Sequence, residues 1–384
     1  MFTELHPTRR RSAPASRDTA GQLTEIRRLL ALWEITSTTY MPLAVNSHLA
    51  KCGGDALCHL FDPADLIARI EWAKRLAGDT REVVLAQLRR AQILGPQRRV
   101  SLKPESEDID KLARDFPHLV SVVNVLRRRI ALAERSSPPA LRLPPLLLSG
   151  PPGTGKTAFA QRLATALQSR VVQIDMANLE TPFSIVGLDV GYATGRPGAV
   201  WDAMQHRSMT PVFVLDELDK ARQGVGERDV TSFLYGLLEP ITAKRFIDGA
   251  IGLPIDVSRA IWIATCNDDS PIHPAILSRF ERVKVDYPTP SQMPAVIRSI
   301  HSELVQGADW RDGFDHELDD AVLGALIWIP PRAVWQALEE AYATCAMAGR
   351  RSLLRSDIPT ASRHASAARP IGFHQFDDNK AHQP

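Results

Sequence analysis

The sequence predicts an α/β protein, in which a parallel β-sheet is covered by helices, with helical segments before and after it. Short apolar runs alternate with helical patterns between residues 146 and 285, which is typical of parallel sheets. A loop of glycines and prolines follows the first apolar run and precedes a helical stretch. The regions on either side have the apolar spacing of helices alone.

The composition is that of an ordinary globular protein. The 384 residues are 44% hydrophobic and 23% charged, with a formal net charge of +2. This charge predicts no strong attraction of the whole protein to nucleic acid or to a membrane. No apolar run approaches the ~20 residues of a membrane span, and the first residues lack the apolar centre of a signal peptide. We therefore expect a cytoplasmic protein without a membrane partner.

The cysteines are sparse, which suits a reducing compartment. A loose cluster of cysteine and histidine raises zinc as an alternative metal. Its spacing matches no standard zinc pattern, and no second C-x-x-C pair follows, so zinc is the weaker interpretation. The cluster consists of His48, Cys52, Cys58 and His59.

The chain is predicted to begin with a disordered basic segment over residues 1–20, which is rich in Ser, Pro and Arg. Helical spacing then dominates residues 22–99 and predicts a helical N-terminal domain over 21–108. Residues 95–107 read as a linker, and residues 109–134 as one helix.

The α/β domain is predicted over residues 109–288, and a helical domain over 289–351 follows it. Residues 352–384 contain few large apolar groups and read as a disordered tail. Five strands are expected, at 146–149, 171–175, 212–216, 261–265 and 283–285. Helices are expected at 158–168, 293–304, 318–328 and 332–348.

The glycine-rich loop fits the pattern G-x-x-x-x-G-K-[ST], which binds the phosphates of a nucleotide. Its glycines allow the backbone N–H groups to point at phosphate oxygens, at the N-terminus of the following helix. Lys156 is expected to reach the β- and γ-phosphates, and the Thr157 hydroxyl to hold Mg²⁺. The predicted ligands are therefore ATP and Mg²⁺. The loop consists of Gly150, Pro151, Pro152, Gly153, Thr154, Gly155, Lys156 and Thr157.

A second apolar run, 211–215, ends in two carboxylates. A carboxylate at the end of a buried strand can hold Mg²⁺, which suits Asp216. The next one can polarise the attacking water, which suits Glu217 as the general base. The pair thus predicts hydrolysis as well as binding.

Together with the phosphate loop, the segment V-F-V-L-D-E-L-D-K (212–220) resembles the signature of AAA+ ATPases. The segment A-T-C-N resembles the sensor-1 strand and ends at Asn267. The segment P-A-I-L-S-R-F resembles the arginine-finger region and contains Arg279. The segment P-R-A-V-W-Q-A-L-E resembles the sensor-2 helix and contains Arg332.

Within AAA+, the chain resembles the ATPase module of Lon-type proteases. The segments G-L-L-E-P (236–240) and F-I-D-G (246–249) are similar to the Lon region ahead of sensor 1. The segment Y-A-T-G-R-P-G (192–198) is similar to the Lon substrate-gripping loop. This resemblance covers roughly residues 110–350 and implies an AAA+ fold, in which 289–351 is the lid.

The resemblance implies a role for each of these residues, and each role has a simpler alternative. Asn267 would orient the attacking water, or only form a turn. Arg279 would act as an arginine finger on the neighbouring subunit's γ-phosphate, or pair in solvent beside Glu281. Arg332 would contact phosphate from the same subunit's lid, or be an ordinary first-turn arginine. Tyr192 would grip a client polypeptide, or pack in its turn.

The sequence also departs from the Lon pattern. Residues 352–384 are far fewer than the ~100 or more of a typical domain, so we expect no intrinsic peptidase. The N-terminal region lacks the β-rich domain that collects Lon substrates. Pro330 and Pro331 stand where the sensor-2 segment usually has a flexible glycine, which leaves the start of that helix open.

Three function classes follow. The first is a Lon-like ring ATPase, expected to be a hexamer, that remodels or unfolds protein clients; a separate protease or another partner could bind its N-terminal helical domain. The second is a nucleic-acid-dependent ATPase, since residues 1–150 carry 23 Lys and Arg against 16 Asp and Glu. The third is a nucleotide-gated scaffold, which Glu217 and Arg279 argue against.

Overall fold

The computed structural model of the chain describes residues 57–100, 104–136, 141–192, 194–222 and 229–359. These residues belong to one structural unit. The predicted basic segment 1–20, most of the predicted tail 352–384, and His48 and Cys52 lie outside them. No helix in the described ranges is long and apolar enough to cross a membrane.

The described strands fall into one five-stranded sheet and two small two-stranded sheets. In chain order they are β1 (Leu57–His59), β2 (Gln97–Arg99), β3 (Leu146–Ser149), β4 (Val171–Asp175), β5 (Val212–Asp216), β6 (Phe246–Ile247), β7 (Pro254–Ile255), β8 (Ile261–Cys266) and β9 (Glu281–Lys284).

The described α-helices surround the five-stranded sheet or follow it. They are α1 (Pro63–Ala73), α2 (Gly78–Leu94), α3 (Ser106–Asp115), α4 (Val120–Ala133), α5 (Lys156–Ala166), α6 (Phe183–Val186), α7 (Ala199–Met204), α8 (Leu234–Leu237), α9 (Pro240–Ala243), α10 (Pro274–Leu277), α11 (Met293–Gly307), α12 (Asp320–Leu326) and α13 (Pro331–Met347).

The main sheet has the strand order β4-β5-β8-β3-β9, and every neighbouring pair is parallel. The α/β parallel fold that the sequence predicts is therefore confirmed. The register pairs Ser149 with Cys266 and Asp175 with Asp216. Since all strands run the same way, the phosphate loop and the ends of β5 and β8 meet at one edge of the sheet.

Each face of the sheet packs into its own hydrophobic cluster, because side chains alternate between the two faces of a strand. Leu146 and Leu148 of β3 face a cluster with α3, α4 and α5. Leu147 faces a second cluster that includes α7 and the stacked rings of Phe213 and Trp262, whose centroids are 4.3 Å apart. The central strands are fully buried, as their continuous apolar runs indicate.

The second cluster continues into α1 and α2, which lie in the predicted N-terminal domain. Leu66 of α1 and Leu88 of α2 are buried in it together with Trp201 of α7. The Trp201 indole Nε1 also donates a hydrogen bond of 3.1 Å to the Gln87 side chain of α2. One apolar core thus extends across residue 108, while the predicted domain boundaries stay predictions.

Helices α11, α12 and α13 form a third cluster of their own, with Leu304, Leu326 and Leu338 buried inside it. Helix α13 begins at Pro331, whose fixed φ suits the first helical position and whose missing N–H costs nothing there. The first of the two prolines therefore occupies the N-cap position and the second begins the helix. The sequence alone had left this starting point undecided. Arg162 of α5 pairs with Glu303 of α11 at 3.1 Å and connects this cluster to the sheet domain.

Two local expectations were wrong. The single helix predicted over 109–134 is two helices, α3 and α4, separated by a 3-10 turn at Pro117–Leu119. Pro117 cannot donate the backbone hydrogen bond that a continuous helix needs. The linker predicted over 95–107 contains strand β2, which pairs with β1 in antiparallel fashion. Strands of three residues carry too short a pattern to be recognised.

Leu88→Ala should lower the free energy of unfolding by about 2–5 kcal/mol, because it opens a cavity in the shared core. Urea unfolding followed by circular dichroism should show a single transition at lower urea concentration. Ile93→Ala is the matched control on the same helix, since Ile93 is 86% exposed, and its effect should stay within about 0.5 kcal/mol. A separate early transition in Leu88→Ala would indicate that α1 and α2 unfold independently.

Candidate functional site

The phosphate loop joins β3 to α5 and is shaped by close backbone packing. A Cβ on Gly150 would collide with the carbonyl oxygen of Val285, so only glycine fits there. Gly155 has φ of +79°, in the left-handed region that glycine adopts readily. The Thr154 hydroxyl donates to the Pro151 carbonyl at 3.1 Å, and the Tyr287 hydroxyl donates to the Pro152 carbonyl at 3.1 Å.

Lys156 is the first residue of α5, and its side chain turns back across the loop. Its Nζ donates to the carbonyl oxygens of Gly150 at 2.7 Å and Pro151 at 2.8 Å, and lies 3.5 Å from Oδ1 of Asn267. Burial lowers the pKa of Lys156, although nearby carboxylates oppose this shift. In the protonated form it places a cation at the centre of the loop, as an anion site requires.

The carboxylate of Asp216 joins three segments of the chain. Its Oδ1 accepts the Thr157 hydroxyl at 2.8 Å and the Thr265 hydroxyl at 2.5 Å. The two residues predicted to hold Mg²⁺ are therefore neighbours. Among the described residues, none donates a hydrogen bond to Oδ2 of Asp216. The role of Thr265 was not predicted, although a hydroxyl near the end of an apolar strand is a signal.

Glu217 has a backbone conformation that is unusual outside glycine, with φ of +54° and ψ of +50°. Its N–H donates to Oγ1 of Thr265 at 3.1 Å, which holds the backbone in this conformation. Its side chain is exposed at the edge of the sheet where the phosphate loop lies. Backbone strain of this kind is concentrated at functional sites, where surrounding contacts maintain it.

Asn267 follows β8, and Asp219 fixes the turn that contains it. The Asp219 Oδ2 accepts the N–H groups of Asn267 at 3.2 Å and Asp268 at 3.4 Å. Its Oδ1 is buried without a hydrogen-bond partner among the described residues. Asp219 thus connects the end of β5 with the end of β8. Its sequence signal was a third acidic residue in D-E-L-D, to which no role was assigned.

The segment between α3 and α4 contacts the other side of the loop. The His118 Nε2 lies 2.7 Å from the Thr154 carbonyl oxygen, while its Nδ1 is buried without a hydrogen-bond partner in the described chain. Burial lowers the pKa of His118, so the neutral ring is favoured. Phe116 packs edge-on against Phe159 of α5, with centroids 5.5 Å apart. Neither contact was predicted, because the loop motif begins only at Gly150, more than 30 residues later.

Arg332, in the first turn of α13, lies at the tip of the phosphate loop. A Cβ added at Gly153 would be only 3.0 Å from Cβ of Arg332. The Arg332 side chain is exposed, and it forms no salt bridge among the described residues. The structure therefore brings the predicted sensor-2 arginine next to the phosphate cradle of the same chain.

Arg279 follows α10, and its contacts lie on that helix and on α8. Its Nη1 donates to the Ala275 carbonyl, and its guanidinium carbon lies 5.5 Å from the centre of the Tyr235 ring. None of its described contacts is with the phosphate loop or with Asp216 and Glu217. The neighbouring Arg282 pairs with Asp269 at 3.3 Å, which distinguishes the two arginines.

Tyr192 lies at the turn of a loop between α6 and α7, and its side chain is 66% exposed. The ring is therefore not packed in its turn. At the base of the loop, Leu188 N–H donates to the Arg196 carbonyl at 3.0 Å. The carboxylate of Asp248 accepts Gly198 N–H at 2.8 Å, and burial raises the pKa of Asp248 to about 6. An exposed ring thus projects from a loop with a fixed base.

These residues fit a nucleotide with Mg²⁺. The loop has glycines at positions where a Cβ would collide or where φ is positive, Lys156 supplies a cation, and α5 begins at the loop. Thr157 and Asp216 offer the oxygen ligands that Mg²⁺ prefers, and a site with few protein ligands suits an ion that keeps several waters. The described residues contain no cluster of three or more His, Cys, Asp or Glu side chains for another metal.

Residues 146–286 match the model of the ATPase family associated with various cellular activities, AAA. This part of the chain is an AAA domain. The AAA+ fold and the AAA+ resemblance predicted from the sequence are confirmed. An AAA domain implies nucleotide binding, usually with Mg²⁺, and ATPase activity.

The AAA domain is similar to Lon proteases, as the sequence predicted. Peroxisomal Lon protease homolog 2 of Oryza sativa subsp. indica is 33% identical over 204 residues, which are 52% of this chain and 22% of that protein. Lon protease of Amoebophilus asiaticus is 34% identical over 156 residues, 40% of this chain and 19% of that protein. The chain therefore spans about a fifth of the length of these curated relatives.

The fold is also similar to that in the extended conformation of the S. cerevisiae Hsp104–casein complex. The TM-score is 0.52 at 16% sequence identity, over 75% of this chain and 57% of that one. At this identity the similarity concerns the fold alone.

Thr265→Ala should slow ATP hydrolysis by about 10- to 100-fold, the usual effect of losing a group that orients a metal-binding carboxylate. The reason is that Asp216 and the Glu217 backbone both lose their hydroxyl partner. Thr265→Ser keeps that hydroxyl and should stay within about threefold of the unsubstituted rate. The measurement is phosphate release at saturating ATP, and equal rates for Thr265→Ala and Thr265→Ser would contradict the role.

Proposed function

We propose that this chain is the subunit of an ATP-driven ring motor, expected to be a cytoplasmic hexamer, that remodels or unfolds protein clients. The observation that carries the proposal is the position of Tyr192, which projects from a fixed loop outside the nucleotide site. The similar proteins are named Lon proteases, and a protease acts on polypeptides. This similarity therefore supports a protein client.

In the proposed mechanism the cradle binds the phosphates and Lys156 contacts the β- and γ-phosphates. Thr157 and Asp216 would hold Mg²⁺, and the ion would supply positive charge against the phosphate oxygens. Glu217 accepts a proton from the attacking water, and Asn267, fixed by Asp219, orients that water. Asp216 and Glu217 are consecutive residues at the end of a strand, and their roles differ. Asp216 would be the metal ligand and Glu217 the base.

The two proposed arginines act from different places. Arg332 stands beside the loop tip in the same chain and would contact phosphate as the lid closes. Arg279 makes its described contacts away from the cradle and would stabilise charge on the γ-phosphate of a neighbouring subunit. Hydrolysis would then depend on ring assembly, and each turnover would move a loop carrying Tyr192 against the client.

A second candidate, the nucleic-acid-dependent ATPase, has one observation in its favour. Exposed Arg90 and Arg170 both contact the turn after α7, where Arg90 donates to the Gln205 carbonyl at 3.3 Å and Arg170 contacts His206, although the Asp202 carboxylate also attracts both arginines. The arginine run 127–129 does not contribute, since its members pair with Asp110 and Glu281. Binding of DNA or RNA that weakens steeply with salt would support this candidate.

The absence of an intrinsic peptidase stays a prediction. The protein incubated with casein and ATP should leave casein intact on a denaturing gel. Casein fragments produced by a preparation that is free of contaminating proteases would contradict this prediction.

Glu217→Gln should reduce ATP hydrolysis by 10²-fold or more, because glutamine keeps the shape but cannot accept the proton. Nucleotide binding should persist, as measured with a fluorescent ATP analogue. Lys156→Ala is the contrasting variant, in which binding itself should be lost. Hydrolysis by Glu217→Gln at the unsubstituted rate would show that Glu217 is not the base. The same Glu217→Gln protein, held in ATP, can be used to capture clients.

Tyr192→Ala should reduce the amount of tagged test protein unfolded per ATP hydrolysed by about tenfold or more. An alanine offers little surface to a passing chain, whereas an aromatic ring can bury ~150–250 Å². Tyr192→Phe keeps the ring and should unfold the test protein nearly as well. The measurements are loss of test-protein fluorescence and phosphate release in the same reaction. An unchanged ratio in Tyr192→Ala would remove the main residue-level support for threading.

A further inference from the structure

The guanidinium of Arg279 is held by a ring and a backbone carbonyl. Its carbon lies 5.5 Å from the centroid of Tyr235, within the ~6 Å range of cation–π attraction. Its Nη1 donates to the Ala275 carbonyl, while Nε is buried and has no hydrogen-bond partner among the described residues. No carboxylate in the described chain lies within 4 Å of it. The charge of Arg279 therefore has no anionic partner among the described residues.

The Tyr235 ring is itself held in place. Its helix, α8, buries Leu234 and Leu237 in the core on one face of the sheet. The ring of His273 meets the Tyr235 ring edge-on, with centroids 6.4 Å apart. His273 also caps α10, since its Nδ1 accepts the Ala275 N–H at 3.2 Å. Tyr235 and Ala275, the two groups that touch the Arg279 guanidinium, are thus connected through one histidine.

We propose that Tyr235 is a positioning residue for Arg279. The ring face restricts the guanidinium to one place, so that less side-chain freedom is lost when the arginine meets a phosphate. A cation–π contact suits this purpose, because it holds the cation without neutralising it as a carboxylate would. The inference rests on the proposed function, in which Arg279 stabilises γ-phosphate charge in a neighbouring subunit.

The contact has a chemical requirement that can be tested. The face of a phenyl ring attracts a cation nearly as well as that of a phenol, so the hydroxyl of Tyr235 is dispensable for positioning. A branched aliphatic side chain fills similar space but has no π face. Tyr235→Phe should therefore behave like the unsubstituted protein, and Tyr235→Leu should not.

The experiment measures kcat and KM for ATP in the assembled protein with Tyr235→Leu, Tyr235→Phe, Arg279→Ala and the Tyr235→Leu/Arg279→Ala double variant. We expect Tyr235→Leu to lower kcat about fivefold, with KM for ATP changed less than twofold, and Tyr235→Phe to stay within twofold. Arg279→Ala should lower kcat by about 10³-fold. The double variant should be no slower than Arg279→Ala, because the ring acts only through the arginine.

The outcomes separate this inference from the function on which it rests. If Arg279→Ala hydrolyses ATP at the unsubstituted rate, the arginine-finger assignment is wrong, and the positioning role fails with it. If Arg279→Ala is slow but Tyr235→Leu is normal, or the double variant is fivefold slower still, only the positioning role fails. A Tyr235→Phe protein as slow as Tyr235→Leu would also overturn it.

Mixing tests the direction of action. Rings that combine Tyr235→Leu subunits with Lys156→Ala subunits contain intact cradles next to intact arginine–tyrosine pairs. Such mixtures should regain activity per intact cradle, as should Arg279→Ala mixed with Lys156→Ala. No gain in the first mixture, alongside gain in the second, would overturn the positioning role. Thermal unfolding checks that Tyr235→Leu is folded, and Tyr235→Met, also without a ring, replaces it if it is not.

Discussion

The carboxylate of Asp216 is the contact on which the arrangement of the site depends. Its Oδ1 accepts hydroxyls from Thr157, 59 residues before it, and Thr265, 49 residues after it. The same Thr265 hydroxyl accepts the Glu217 N–H. One oxygen atom therefore fixes the start of α5 and the ends of β5 and β8 relative to each other. An acceptor shared by two donors is hard to replace, because removing it leaves both hydroxyls without an acceptor.

The sequence predicted those parts of the site that are local in the chain. The phosphate loop, the apolar run ending at Asp216, and the parallel sheet each have a short signal, and the structure shows each of them. Thr265, Asp219 and His118 could not be found in the same way. Their contacts depend on which strands are neighbours and on the register that places Thr265 opposite Leu148. Such information arises only when distant segments are packed together.

The region ahead of the sheet shows the same limit. Periodicity indicates the helices that contain Leu66 and Leu88, but it does not indicate what these residues pack against. They are buried in the same hydrophobic cluster as Trp201, on a helix more than 100 residues later. The exposed loop with Tyr192 precedes that helix, and Asp248 fixes its start at Gly198. Helix α7 thus shares a core with the N-terminal helices and also follows the loop with Tyr192, although the sequence suggests two separate parts.

Arg279 and Tyr192 share a property that the residues of the cradle lack. Thr157 and Lys156 donate to acceptors within the described residues, whereas the guanidinium of Arg279 lacks an anionic partner among those residues and the ring of Tyr192 is 66% exposed. Groups fixed in position but lacking such a partner are suited to surfaces that meet another chain. In the proposed ring, the cradle would be complete only where subunits meet. ATP turnover would then follow the concentration of the protein by mass action, as any activity shared between subunits does.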